Sequence, residues 1–536
     1  MNAFTSTGTL VQHALRRDRV VAPVWIGLLV LTIIGVATQY AQLLPTDVER
    51  IDFVAQIGGN AALSAFTGQL YGHGLGNLTM WKIGDISFML IALMAVLNVI
   101  RHTRAEEESG RAELVAAGAV GRLAPLTAGL LETAGISFVI GVVTAAGLTL
   151  IGLPIGGAFV FGAGLTSLGC LFAAVAGVAA QLTERARAAT GLAAVVLGLA
   201  YLIRFVADGS GVLWLRWFSA TGWSHLMEPF AGNRWWVAAI PAIACALAVT
   251  IASRLASRRD LGAGMLTAGT GPAEAAPTLR GPVALAWRLH RGQLLAWTLA
   301  ITAFAAAAGA VATSVPNILD RSGEQIQELL RRYAAAPDAG LTDTFIWMIL
   351  ISIGGITALY PLLVTLRLRD EETNGRAELT LSTGVNRTRW ALSHLLFAAL
   401  GPAIMLTAAG FATGLVYGLA TSDLVTQLPR VLTAALVLIP PAWTIGSIAM
   451  LAVGLLPRFA AGLAWAAFLL TTLFGETLGP VLGIDYWIAN QLNPFHHVPK
   501  VITGAEFALT PMLVLTVVAL AITTAGLAAL QRRDLT

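Results

Sequence analysis

Twelve runs of about 20 predominantly apolar residues, spread along a chain of 536, constrain this protein more than any motif in it. A helix of that length crosses a hydrocarbon core about 30 Å thick, and in lipid each backbone polar group must find its partner within the segment. An all-α integral membrane protein with twelve transmembrane helices is therefore expected. The runs lie near 21–41, 79–100, 124–150, 158–182, 189–207 and 235–255, then near 293–313, 343–366, 390–418, 431–455, 459–482 and 508–530.

Only 12% of the residues are charged, about half the share in an average soluble domain, and this excludes a soluble enzyme. The net charge of +4 is carried by arginine, because Lys82 and Lys500 are the only lysines. Most arginines sit in short loops beside apolar runs, a pattern of topology and not of nucleic-acid binding. Assigning each basic residue to a side puts 23 on the face shared by both termini and 10 on the other, which predicts cytoplasmic termini. Arg16, Arg17 and Arg19 before the first run imitate a signal peptide, but Arg288 and Arg291 repeat the arrangement before Trp297, where no signal peptide acts. Cys170 and Cys245 fall inside apolar runs and read as packing, with no disulfide or zinc site implied.

The chain is written twice. Arg104 to Arg122 aligns with Arg369 to Arg387 with ten identities in nineteen positions, and both halves close on Arg-Arg-Asp-Leu, at Arg258–Leu261 and Arg532–Leu535. An even number of spans per half makes the repeat direct. A Gly, Ala, Thr and Pro-rich stretch separates the halves, so the expected organisation is a first six-helix module at 1–262, a linker at 263–282 and a second module at 283–536. Two outer connections are long, Gln42 to Leu78 and Ser314 to Thr342. The second carries Ile326, Leu329, Leu330 and Tyr333 at helical spacing, which predicts an amphipathic helix.

Within each repeated segment, carboxylates precede Gly-Arg-Ala-Glu-Leu. A solvated charge run explains one such loop, but not its recurrence at the matching place in the other half. The pattern suits a short surface helix, with carboxylates near its start and exposed charges for docking another protein. A helix continuous with span 3 would carry a partner's movement into the membrane. The copies differ where Glu108 faces Thr373, Ser109 faces Asn374 and Gly121 faces Asn386.

At these residues the chain resembles the permeases of type-2 ABC exporters, which carry a Glu-rich, Gly-x-x-Glu-Leu coupling segment after their second span. More narrowly it is similar to the large duplicated permeases of polyketide-antibiotic and multidrug efflux systems. Asn60-Ala-Ala-Leu before Gly68 and Tyr71, Met80-Trp-Lys-Ile-Gly84 and Leu492-Asn-Pro-Phe-His-His-Val-Pro499 carry that narrower likeness. The resemblance implies two tandem six-helix ABC exporter modules in a bacterial cell membrane. It implies export of lipophilic small molecules, such as drugs or antibiotics, and coupling to two copies of an ABC ATPase subunit. The coupling residues it implies are Glu106, Glu107, Gly110, Arg111, Glu113 and Leu114, with Glu371, Glu372, Gly375, Arg376, Glu378 and Leu379. Independently, neither lysine stands in the Gly-Lys-Ser/Thr context of a P-loop. The chain is thus expected to have no ATPase site or cofactor of its own, ATP and Mg being bound by the partner. Thr183–Arg187 and Leu456–Phe459 are either second contacts for that partner or plain topology signals.

Ionisable groups inside spans are functional candidates by default. Glu132 in span 3 is one, its structural alternative being a bond to a neighbouring helix near the headgroups. Arg204 in span 5 and Glu476 in span 11 hold similar repeat positions and are either an outer gate or separate headgroup contacts. Phe88, Trp347, Trp465 and Phe474 are candidates for an apolar pathway or for ordinary packing. His496 and His497 lack a third metal ligand at familiar spacing. The rival reading is a proton-coupled twelve-span drug transporter with Glu132 as its proton site. A third is a membrane scaffold without turnover.

Overall fold

The computed structural model describes residues 2–57, 61–266, 274, 276–312, 340–473 and 491–533. Every regular element among them is helical, and eleven helical stretches are long and apolar enough to cross a membrane. The run expected near 459–482 is helical from Ala460 to Leu473, and the rest of it lies outside the described residues, as do Ile326, Leu329, Leu330 and Tyr333. The described residues fall into two compact units, one ending at Leu266 and the other beginning at Glu274.

Unit 1 contains α1 (Thr7–Arg17), α2 (Val21–Leu43), α3 (Asp47–Ile57), α4 (Ala61–Thr67), α5 (Leu75–His102), α6 (Arg104–Glu108) and α7 (Arg111–Ala116). It continues with α8 (Ala124–Leu150), α9 (Ile155–Leu182), α10 (Ala186–Ser210), α11 (Ala220–Leu226) and α12 (Ala239–Arg258). Its core is built on α5 and α9, where Phe88, Ile91, Val99, Phe161, Leu165 and Phe172 are buried together. In α5 72% of the apolar window is enclosed by protein, against 22% in α2 and 17% in α12, so the latter two present most of their surface to lipid. Helices α8 and α9 meet at Gly141 and Gly162, where a Cβ on either glycine would stand 2.3–2.4 Å from the other's carbonyl oxygen. Such close backbone approach is how small residues join helices in lipid.

Unit 2 contains α13 (Pro282–Ala312), α14 (Leu341–Thr357), α15 (Leu359–Thr373), α16 (Arg376–Leu381), α17 (Arg387–Ala420), α18 (Leu424–Leu436), α19 (Ile439–Leu455), α20 (Ala460–Leu473) and α21 (Leu509–Arg532). Its enclosed spans are α14–α15 and α18–α19, at 67% and 72%, with α21 at 22% on the periphery. Prolines explain where single apolar runs become two helices. Pro361 and the pair Pro440-Pro441 lie in the first turn of α15 and α19, where a missing N–H costs nothing to the following helix but breaks the preceding one. Pro23 near the start of α2 separates it from α1 in the same way, whereas α13 has its proline at the first position and runs unbroken for 31 residues.

One expectation needs correction. The repeated segment is not a helix continuous with span 3. Its acidic arm extends span 2, as α6 after α5 and as the end of α15, and a glycine then turns the chain into a separate short helix, α7 or α16. Gly110 and Gly375 have φ of 76° and 68°, the left-handed region that a residue with a Cβ enters only at a cost.

Candidate functional site

The two arms of each repeated segment have different surroundings. In unit 1, Arg104 is 1% exposed. Its guanidinium donates to Glu107 at 2.7 Å, to the Ala263 carbonyl at 2.9 Å and to that of Gly262 at 2.6 Å. Glu107 is also gripped by both terminal nitrogens of Arg259, one at 2.7 Å, and Arg259 donates to Gln181 at 2.5 Å. Arg122 closes the ring by donating to the Arg259 carbonyl at 2.6 Å. In unit 2 the counterparts meet the same way. Arg533 donates to both oxygens of Glu372 at 2.7 Å, and Arg387 donates to the Arg533 carbonyl. The duplicated segment and the duplicated Arg-Arg-Asp-Leu ending are thus one feature, a glutamate just after α5 or at the end of α15 clamped to the arginine that follows α12 or α21. Reading along the chain treated them as separate; the available signal was that Glu107, Arg122 and Arg259 recur together as Glu372, Arg387 and Arg533.

The other acidic residues diverge. Glu106 pairs with Arg17 of α1 and lies 3.5 Å from Arg111, and Glu108 accepts the Ala186 N–H at the start of α10 at 2.9 Å. Glu371 turns inward to Arg367 at 3.2 Å, His394 at 3.5 Å and the Trp390 indole N–H at 3.4 Å. Beyond the glycine, the second arms are exposed in both units. Leu114 is 79% and Leu379 73% exposed, and Arg111, Glu113, Arg376 and Glu378 are all on the surface. Glu107 and Glu372 are thus internal ties within arms whose ends, Glu108 and Thr373, are exposed, and the Arg-Ala-Glu-Leu arm beyond the glycine carries further exposed side chains.

At the opposite end of unit 1 a fully enclosed charge network holds Arg204. It donates to Asp208 at 3.0 Å, to Asp85 at 2.9 Å and to the Ala65 carbonyl at 2.9 Å, with the Tyr201 ring 4.9 Å away. His225 lies 3.1 Å from Asp85, Arg216 pairs with Asp208, and Arg216 donates to the Tyr71 hydroxyl at 2.6 Å. Burial raises the Tyr71 phenol, and the Arg216 charge opposes this only in part. Asp85 and Asp208 were not singled out from the sequence, although Asp85 interrupts an apolar run and Asp208 follows Arg204 by one helical turn. Glu476 and Phe474 lie outside the described residues.

Phe88 is fully buried against Phe161 and His225, and Trp347 is fully buried in unit 2. Trp465 is 40% exposed on α20 beside Phe468. Glu132 is 2% exposed on α8 and accepts from Asn98 of α5. His496 and His497 stand in a short turn capped by Asn493, with His497 2.9 Å from the Gln491 carbonyl.

Comparison with known proteins gives one consistent result. The family model described as the C-terminal domain of the multidrug efflux system permease Rv1217c matches residues 279–531. The multidrug efflux system permease protein Rv1217c of Mycobacterium tuberculosis (strain ATCC 25618 / H37Rv) is 38% identical over 537 aligned residues, covering 99% of this chain and 96% of the relative.

Proposed function

The chain belongs to the family of multidrug efflux system permeases, and from that premise we propose that it is the membrane subunit of an ATP-driven ABC exporter of hydrophobic drugs or antibiotics. It is a multi-pass membrane protein and a transport subunit. In this reading it has twelve spans in two six-helix modules, with both termini in the cytoplasm of a bacterial cell. ATP and Mg are bound by two copies of a separate ATPase, one for each exposed arm.

The observation that supports the reading best is the pairing of an exposed arm with an internal clamp in each unit. Force on Glu113 and Leu114, or on Glu378 and Leu379, enters a short helix. The glycine hinge passes it to a glutamate fixed to both span 2 and the end of span 6. ATP-driven approach of two ATPases would then shift the inner spans of both modules and alternate access to a central path. The substrate route through Phe88, Trp347 and Trp465, and a gate at Arg204, belong to the same proposal.

The test is ATP-dependent uptake of a lipophilic dye or drug into inverted vesicles holding the permease and its co-purified ATPase. Uptake on ATP that survives collapse of the proton gradient is expected. Uptake driven by an imposed proton gradient without ATP would replace this reading with the secondary transporter.

A further inference from the structure

Unit 1 contains a second group of ionisable side chains that the clamp does not use. Asp18 lies between α1 and α2, His102 ends α5, and Glu132 lies on α8. One carboxylate oxygen of each acid and one ring nitrogen of His102 lie within 4.8 Å of one another. Asp18 and Glu132 are 1% and 2% exposed, and the His102 side chain is 7% exposed.

Both carboxylates are held from behind. Arg101 lies 2.9 Å from Asp18 Oδ1, which leaves Oδ2 facing His102 Nε2 at 2.7 Å. The Asn98 amide donates to Glu132 Oε2 and, at 2.9 Å, to Thr133 Oγ1, while the Thr133 hydroxyl lies 3.4 Å from the same Glu132 oxygen. Glu132 Oε1 is left buried with no hydrogen-bond partner. A buried acceptor in that state is unusual and calls for an occupant. With the imidazole neutral, two carboxylates face one guanidinium, a local charge of −1 in a low-dielectric setting where an uncompensated charge is costly.

We propose that Asp18, His102 and Glu132 form a binding site for a divalent transition-metal ion. Two carboxylates, each oriented by an outer partner, and one imidazole are the donor set that Zn²⁺ or Mn²⁺ takes. The ion takes the neutral imidazole at Nε2, with the ring proton on Nδ1, replaces the contact between His102 Nε2 and Asp18 Oδ2, and gives Glu132 Oε1 its partner. Ligand atoms around a tetrahedral Zn²⁺ stand about 3.3 Å apart, so Asp18 Oδ2 and His102 Nε2, now 2.7 Å apart, separate slightly, while Glu132, within 4.8 Å of both, closes on them. Entry is from a cavity of about 460 Å³ bordered by α1, α7, α8 and the end of α12, with His102 in its wall, Glu106, Glu107 and Asp260 around it, and Arg17, Arg122 and Arg259 beside them.

The site is confined to one unit. Counting from Arg104 and Arg369, the positions of His102 and Glu132 are taken by Arg367 and Phe397, and counting from Trp25 and Trp297, that of Asp18 is taken by His290. In unit 2 His290 meets His394 at 2.9 Å and packs on Phe397, while Arg367 bonds Glu371 at 3.2 Å. A bound ion fastens the α1–α2 turn to spans 2 and 3, next to Arg17, which holds Glu106.

The experiment is equilibrium dialysis of the full-length permease in lipid nanodiscs against Zn²⁺ and against Mn²⁺, at neutral pH and near pH 5.5, with metal read by mass spectrometry. One ion per chain is expected. Affinity should fall at the lower pH because the imidazole must be unprotonated to bind, and should fall at least about tenfold in Glu132→Gln and Asp18→Asn. Absence of saturable binding, or variants that bind like the wild type, overturns the proposal. If those variants do not fold, electron spin-echo spectra of Mn²⁺ on wild-type protein labelled with ¹⁵N-histidine decide: coupling to one histidine nitrogen supports the site, and no coupling removes it.

Discussion

In unit 1, three consecutive glutamates of the acidic arm go to three different elements: Glu106 to Arg17 of α1, Glu107 to Arg259 after α12, and Glu108 to the start of α10. In unit 2, Glu371 is enclosed by Arg367, His394 and Trp390, Glu372 goes to Arg533, and Thr373 turns back to the Arg369 carbonyl at 3.0 Å. Only the middle tie is common to both. What the two copies share is a tie from the acidic arm to the arginine after α12 or α21, and the other contacts are particular to each copy. The first copy spreads its attachment over peripheral helices, including a short α1 set apart by a proline. The second drives it into the core, where the Glu371 side chain is 9% exposed against 22% for Glu106.

The largest predicted difference concerns the clamp. Arg533→Ala strips Glu372 of a two-point partner and leaves it, among the described residues, only Arg369 at 3.6 Å, so a loss of about 3–5 kcal/mol is expected. Arg259→Ala leaves Glu107 with Arg104 at 2.7 Å and should cost about 1–3 kcal/mol. Thermal unfolding in detergent ranks the two, and equal losses would break the comparison.

The hinges should behave alike. Nothing lies within 4 Å of a Cβ added at Gly110 or Gly375, so Gly→Ala at either costs only the left-handed backbone, about 1–2 kcal/mol. Limited proteolysis of the two arms would sharpen this: similar increases in cleavage are expected, and a change at one arm alone would show unequal hinges.

The smallest effect separates Glu108 from Thr373. Glu108 accepts a helix-terminal N–H, so Glu108→Ala should cost about 0.3–1 kcal/mol and lose that effect in high salt. Thr373→Ala, with only a local bond to α15, should show no salt dependence. Melting temperatures at low and high salt read the difference.

The helical class, the positions of eleven of the twelve runs and the recurrence of the segment were legible in the sequence, because lipid demands long apolar runs and a duplication preserves spacing. What was hidden depends on contacts across the chain. Gly121 facing Asn386 is one case: a Cβ at 121 would stand 2.3 Å from the Ala3 carbonyl, whereas Asn386 instead caps α17 through the Arg389 N–H at 2.7 Å. The clamp joins residues 152 or 161 positions apart, and Asp85 and Asp208 gain meaning only beside Arg204. Proline breaks were visible as residues but not as consequences, since Pro402 stays inside α17 while Pro361 starts a new helix. Spacing rules for metal ligands missed Asp18, His102 and Glu132 because each comes from a different element.

The central claim is that the exposed arms receive a partner's motion and the clamps pass it on. The most direct measurement is paired export and ATP hydrolysis by the reconstituted complex carrying Glu113→Lys and Glu378→Lys together. Both side chains are on the surface, so folding should be unaffected, within about 0.5 kcal/mol. Export should be lost while hydrolysis continues without stimulation by substrate; a double variant that exports at the wild-type rate would rule out coupling through these arms.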